Sequence, residues 1–318
     1  MKFYFAPLEG LSDSIFRRAH AEQFGGVDKY FIPFLTPNQN HCFSGREKRD
    51  ISPVQNAGLP VVPQLLTNCA AHFLWAAAEL HTMGYQEINL NLGCPSSTVT
   101  AKKKGAGQLD DLFALSAFLN DIFRSTPMPV SIKTRLGVHD PAEFSELLSI
   151  FCQYPIAELI IHPRVRDEFY QGQPHLDAFA EAVLQCPFPV CYNGNIFTPD
   201  DAKRFIFPDI HAIMLGRGAL VNPGLFRELR GQPRLSKEEL QAFHERLYAD
   251  YRAAFSGERP VLCRMKELWS YLGQLFLGAE RFQKSLRKAN SLAAYEHTVS
   301  TIFQSLPIVQ TPDYPTAF

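Results

Sequence analysis

Eight short stretches in the first 218 residues read as strands, either as apolar runs or as apolar and polar positions in alternation. The clearest is Glu87–Leu92, where Ile88, Leu90 and Leu92 alternate with Glu87, Asn89 and Asn91. Alternation with period two sends one set of side chains to each face of a strand. The others are 3–8, 30–35, 60–66, 129–137, 158–164, 189–196 and 212–218. Between them the period becomes helical. Helices are predicted over 13–23, capped by Ser12 or Asp13, over 70–83, closed by Gly84, and over 109–123, 141–153 and 176–184. Thr198 or Asp200 caps a further short helix. Eight strands alternating with helices, at spacings of roughly 25–40 residues, predict an α/β protein built as a (β/α)8 TIM barrel. A doubly wound open sheet is the alternative, but it usually has fewer strands, and no Gly-x-Gly-x-x-Gly follows the first strand. From Ser236 onward the pattern changes. Residues 236–255, 259–275 and 279–303 read as helices with no strand between them. This predicts two domains, a barrel over 1–232 and a C-terminal all-helical domain over 233–318.

Composition narrows the class. The chain has 318 residues, 46% of them hydrophobic, which is ample for a large core. No apolar run approaches the ~18 residues of a membrane span, and the apolar start after Lys2 is too short for a signal peptide. Seven scattered cysteines with no Cys-x-x-Cys pair suggest neither a disulfide framework nor a zinc site. The expectation is a cytoplasmic protein, monomeric, without a metal or a membrane partner. The net charge of −1 argues mildly against a nucleic-acid partner, but its distribution softens that. Residues 230–318 carry 12 basic and 9 acidic side chains, net +3, against net −4 before them. The stretch 36–58 is long and polar, with Arg46, Lys48 and Arg49. A loop of that length is usually functional or mobile.

Candidate chemistry collects at strand ends. Gly93 turns the chain after the fourth strand and Pro95 prevents its continuation, leaving Cys94 at the tip. Cys94 then has two readings of similar weight, a thiol placed for chemistry or a small buried apolar residue. Glu9, Gln64, Asn91, Lys133, Arg135, His162, Asn193, Asn195 and Arg217 also fall at strand C-termini, where a parallel barrel keeps its active site. Taken singly, Lys133 suits a snorkelling surface lysine and His162 a satisfied core histidine. Placement of seven such strand ends on one rim is harder to explain by chance. Gly194 and Gly216, with Arg217 as charge partner, suit a phosphate monoester.

The run Asn-Leu-Gly-Cys-Pro-Ser at 91–96, followed by Val99 and Gly105, resembles the signature of the tRNA-dihydrouridine synthases. The resemblance extends to 6–10 (Ala-Pro-Leu-Glu-Gly), 132–137 (Ile-Lys-Thr-Arg-Leu-Gly) and 162–166 (His-Pro-Arg-Val-Arg) with Tyr170 and Gly172. It continues at Asn193-Gly194-Asn195 and at 216–219. It implies a flavin enzyme that reduces uridines of tRNA, with FMN held by Pro7, Leu8, Glu9, Gln64, Lys133, His162, Asn193, Gly194, Asn195, Gly216 and Arg217. Cys94 would be the catalytic acid, protonating C5 while hydride reaches C6 from flavin N5. Asn91, Arg135 and Arg166 would bind the substrate, NADPH or NADH would be the reductant, and the helical tail would bind tRNA. The chain departs from the family pattern at Asn89, Ser96–Thr98, Pro163 and Asn195, which bears on substrate choice more than on the flavin site. Two other readings stand beside this one. One is an FMN barrel reductase of a small carbonyl or enone. The other is a flavin-containing RNA-binding protein without turnover. Lys102–Lys104 suits a solvated face or an RNA-phosphate contact equally.

Overall fold

Nine parallel strands make one sheet: β1 (Lys2–Phe5), β2 (Lys29–Phe31), β3 (Val61–Val62), β4 (Gln64–Leu65), β5 (Ile88–Leu92), β6 (Val130–Arg135), β7 (Leu159–His162), β8 (Val190–Asn193) and β9 (Ala212–Leu215). Their order is β3-β2-β1-β9-β8-β7-β6-β5-β4. The chain is seen in a computed structural model that describes residues 1–204 and 209–309. β3 and β4 are separated only by Pro63, which has no N–H to offer a ladder. Nine strands are therefore eight staves, the third of them broken. The ring closes where Leu35, beyond β2, bridges Leu65 of β4.

The helices of the barrel are α1 (Ser14–Gln23), α2 (Gly45–Asp50), α3 (Ala70–Thr82), α4 (Ser97–Thr100), α5 (Leu112–Ser125), α6 (Phe144–Phe151), α7 (Leu176–Gln185), α8 (Pro199–Arg204), α9 (Arg217–Val221) and α10 (Leu225–Leu229). Asp13, not Ser12, caps α1, accepting from Phe16 N at 3.0 Å. Ser12 Oγ instead accepts from Leu8 N, tightening the turn after β1. The polar stretch 36–58 is more ordered than its composition suggests. It holds α2, closed by a reciprocal cap between Ser44 and Glu47. Alternating strand residues divide into two cores. Tyr4, Ala6, Phe31, Val62, Ile160, Cys191, Ala212 and Met214 form one cluster inside the ring, and a far larger one lies between sheet and helices.

Four helices follow: α11 (Lys237–Ala254), α12 (Glu258–Leu272), α13 (Glu280–Lys288) and α14 (Leu292–Ser305). The single helix expected over 279–303 is two, because the chain is extended at Ala289 and Ser291 and Ser291 caps α14 afresh. Residues 310–318 of the expected tail lie outside the described residues. α11 packs on α1, where Phe243 meets Phe16, His20 and Phe24 edge-on. Tyr251 Oη donates to Asp13 at 2.9 Å and Gln23 Nε2 to the Glu239 carbonyl at 2.7 Å. Aromatic contacts and hydrogen bonds together dock the helices onto the barrel wall. Among the described residues no helix is long and apolar enough to cross a membrane.

Candidate active site

The C-terminal strand ends surround a cleft that is open to solvent. Pro7 and Leu8 after β1, Lys133 of β6, His162 of β7, Asn193, Gly194 and Asn195 at β8, and Gly216 and Arg217 at β9 all line it. The β8 and β9 ends meet closely. A Cβ on Gly218 would stand 1.9 Å from the Ile196 carbonyl oxygen, so only glycine lets α9 start against the β8 loop. Asn195 takes a left-handed φ of 38°, which asparagine tolerates better than most residues. Its Oδ1 accepts from Arg217 Nη2 at 3.3 Å.

The electrostatics are one-sided. Among the described residues lining the cleft there is no carboxylate, while Lys133 and Arg217 line it and Arg135 and Arg164 are buried behind. Burial, helped by the Arg135 charge, lowers the Lys133 pKa to about 8. Lys133 has no hydrogen-bond or ion-pair partner among the described residues. Arg135 is lowered to about 10, chiefly by burial, and donates to the Gly93 and Val165 carbonyls at 2.8 and 2.9 Å. Burial, then the charges of Arg135, Lys133, Arg164 and Arg217, holds His162 well below its usual pKa. Arg164 Nη1 lies 2.9 Å from His162 Nε2. Arginine can only donate, so Nε2 is the acceptor and the neutral ring carries its proton on Nδ1. His162 is thus an uncharged donor in a cation-rich site.

Cys94 sits beside the cleft at the tip of β5. Asn91 Oδ1 accepts from Gly93 N at 3.0 Å and from Cys94 N at 2.6 Å, which holds the turn. Gly105 clamps it from the other side; a Cβ there would stand 2.7 Å from the Cys94 carbonyl oxygen. Burial raises the thiol pKa; the Ser96 N–H opposes it, Glu9 adds to it, and Arg135 and Lys133 oppose it less. Cys94 is therefore a protonated thiol at neutral pH, able to give a proton.

Besides Cys94, five named candidates do not line the cleft. Gln64 is fully buried, bonded to Asn89 and Asn91, so the Asn91 amide is committed to Gln64 and to the Cys94 turn. Arg135 supports the β5 and β7 loops through the carbonyls already named. Glu9 is exposed and pairs with Arg46 at 3.3 Å. Arg166 pairs with Asp167 at 2.9 Å. The structure also brings in residues that were not singled out as ligands: Tyr170, Phe197 and Tyr271. Tyr170 lay inside a quoted motif. Tyr271 comes from α12 and carries no local signal. Lys102 and Lys103 are exposed on the turn after α4. No group of acidic, histidine and cysteine residues that could hold a metal occurs among the described residues.

The family model for dihydrouridine synthase matches residues 4–306. tRNA-dihydrouridine(16) synthase of Pseudomonas putida is 32% identical, over 71% of this chain and 72% of that one. tRNA-dihydrouridine(16) synthase of Ralstonia nicotianae is 28% identical, over 94% of this chain and 96% of that one. tRNA-dihydrouridine synthase B of Pasteurella multocida is 29% identical, over 71% of this chain and 68% of that one. Among solved structures, morphinone reductase shares the fold with a TM-score of 0.53 at 11% identity, covering 74% of this chain and 87% of that one.

Proposed function

The chain belongs to the dihydrouridine synthase family, and from that premise we propose that it reduces the C5–C6 double bond of uridines in tRNA, using FMN in the rim cleft and NADPH or NADH as reductant. The match from residue 4 to residue 306 carries the reading, and the chemistry of the cleft supports it. A carboxylate-free lining with Lys133 and Arg217 suits a dianionic phosphate at one end and an anionic ring at the other. The backbone N–H groups at Gly194 and Gly216, with Arg217, would take the phosphate. Lys133 and the Nδ1–H of His162 would face the ring. FMN bound there supplies the hydride for C6 of the uracil. The chain's own residues do the rest. The cleft admits a base only when it is out of its stack. Lys133, as a cation, and His162, as a neutral donor, stabilise negative charge that develops on O4 of the uracil. Cys94 gives its proton to C5, and the raised thiol pKa keeps that proton available at neutral pH. Asn91 acts here by holding the Cys94 turn. We also propose the division of labour between residues 1–232, for flavin and catalysis, and residues 233–318, for tRNA.

The protein should purify yellow and release FMN on denaturation; release of FAD, or of no flavin, ends the cofactor assignment. The decisive test is nucleoside analysis of tRNA from cells with and without the gene. Dihydrouridine should disappear from at least one position, and relatives named for position 16 make that uridine the first to map. Unchanged dihydrouridine throughout would refute the activity and favour a reductase of a small carbonyl.

A further inference from the structure

The barrel does not build the cleft alone. Tyr271, on α12 of the C-terminal helices, lines it together with Gly216, Arg217 and Tyr170. α12 packs on α9, the short helix that Arg217 opens. It is also tied to the β1 end of the rim, where Arg264 Nη2 lies 3.6 Å from Asp13 Oδ2. Tyr271 therefore has a fixed place over the β9 end of the cleft.

Arg217 lines the same cleft. The Arg217 guanidinium carbon stands 4.7 Å from the Tyr170 ring centroid and 5.7 Å from that of Phe197. Burial raises the Tyr271 hydroxyl pKa, and the Arg217 charge pulls it partly back. Tyr170 comes from the loop after β7, Phe197 from the loop after β8 and Tyr271 from the helical tail. An arginine side chain carries about 2 kcal/mol of rotamer entropy, and aromatic walls reduce what it loses on binding an anion.

We infer that Tyr271 is a positioning residue of the cofactor site, which with Tyr170 and Phe197 boxes the Arg217 guanidinium over the glycine-rich strand ends, so that the C-terminal helices help to hold the phosphate of the flavin. This rests on the flavin reading given above. It predicts that the effect of Tyr271 reaches the ligand only through Arg217, and so depends on the phosphate. Riboflavin has the same ring and ribityl chain without it.

The test is titration of the flavin-free full-length protein with FMN and with riboflavin, followed by flavin fluorescence. The wild type should prefer FMN. Tyr271→Ala should weaken FMN about tenfold and riboflavin less than about twofold. Tyr271→Phe keeps the aromatic wall and should retain most of the FMN affinity. In an Arg217→Ala background, Tyr271→Ala should change FMN affinity less than about twofold, because the group it positions is gone. Should the alanine variant not fold, Tyr271→Leu fills the space without an aromatic face and carries the same comparison. Equal weakening of FMN and riboflavin, or effects of Tyr271 and Arg217 that simply add, would overturn the inference. A wild-type protein that binds neither flavin would instead overturn the cofactor reading beneath it.

Discussion

The two ends of the barrel use the same side chains in opposite ways. At the N-terminal end, Lys29 Nζ donates to Glu87 at 2.7 Å and to Glu158 at 3.0 Å. Tyr4 Oη donates to the other Glu158 oxygen and Ser131 Oγ to the other Glu87 oxygen, at 2.8 and 2.7 Å. Each carboxylate oxygen has a partner. Burial lowers the proton affinity of Lys29, but Glu87 and Glu158 outweigh it and the net pKa is raised. At the C-terminal end Lys133 is desolvated beside Arg135 with no acid paired to it among the described residues, and its pKa falls. One lysine is a component of the fold. The other is held at a cost in folding stability. Barrels commonly divide this way, with stability at the bottom and chemistry at the top.

The largest effect expected from breaking this contrast is at the top. Cys94→Ala removes the proposed proton donor and should slow uridine reduction by about 10²–10⁴-fold, while NADPH should still bleach the flavin. Stopped-flow separation of the two half-reactions checks this; tRNA reoxidising the variant at nearly the wild-type rate would make Cys94 a packing residue. At the bottom, Lys29→Met leaves Glu87 and Glu158 facing each other and should cost roughly 3 kcal/mol in urea unfolding. That lies at the low end for a broken buried pair, because the lysine side chain keeps 23% of its exposure. Flavin affinity of the folded variant should not move. If it does, the ends are not independent.

Smaller changes sharpen the contrast. Arg217→Ala should lower FMN affinity by about 1.5–3 kcal/mol, the strength of a charge-assisted contact, and unchanged affinity would move the phosphate elsewhere. Lys133→Met should stabilise the flavin-free protein by about 1 kcal/mol while slowing catalysis, since it removes a half-buried cation with no partner among the described residues. The pH dependence carries the sign. Lys133 titrates near 8 when folded and near 10.5 when unfolded, so between those values the unfolded chain holds more protons. Its contribution to stability therefore rises with pH across that window. Lys29 does the reverse. Its raised pKa gives stability below the unfolded value that is lost as pH climbs through the folded one. Unfolding at pH 7 and pH 9.5 should show the alkaline gain vanish in Lys133→Met and persist in Lys29→Met.

What the sequence determined by itself is local. Alternation in 87–92 made β5 legible, and Gly93 and Pro95 fixed where Cys94 leaves it, because strand period and turn chemistry act within a few residues. The succession of strands and helices was enough to specify the barrel, since connection rules leave few other arrangements. Pro63 and the chain around Ala289 show the limit of local reading, as short breaks inside long apolar patterns. Tertiary structure alone decided everything that depends on partners far along the chain. Lys29 meets carboxylates 58 and 129 residues away, whereas Lys133 meets none among the described residues, and nothing near either lysine in sequence announces the difference. The tautomer of His162 depends on how Arg164 folds back onto it. Tyr271 reaches the cleft only because α11 docks on α1 and α12 then packs on α9. Periodicity encodes which face a side chain takes, but charge state and the make-up of a cleft come from summed long-range contacts, and those exist only once the ring has closed.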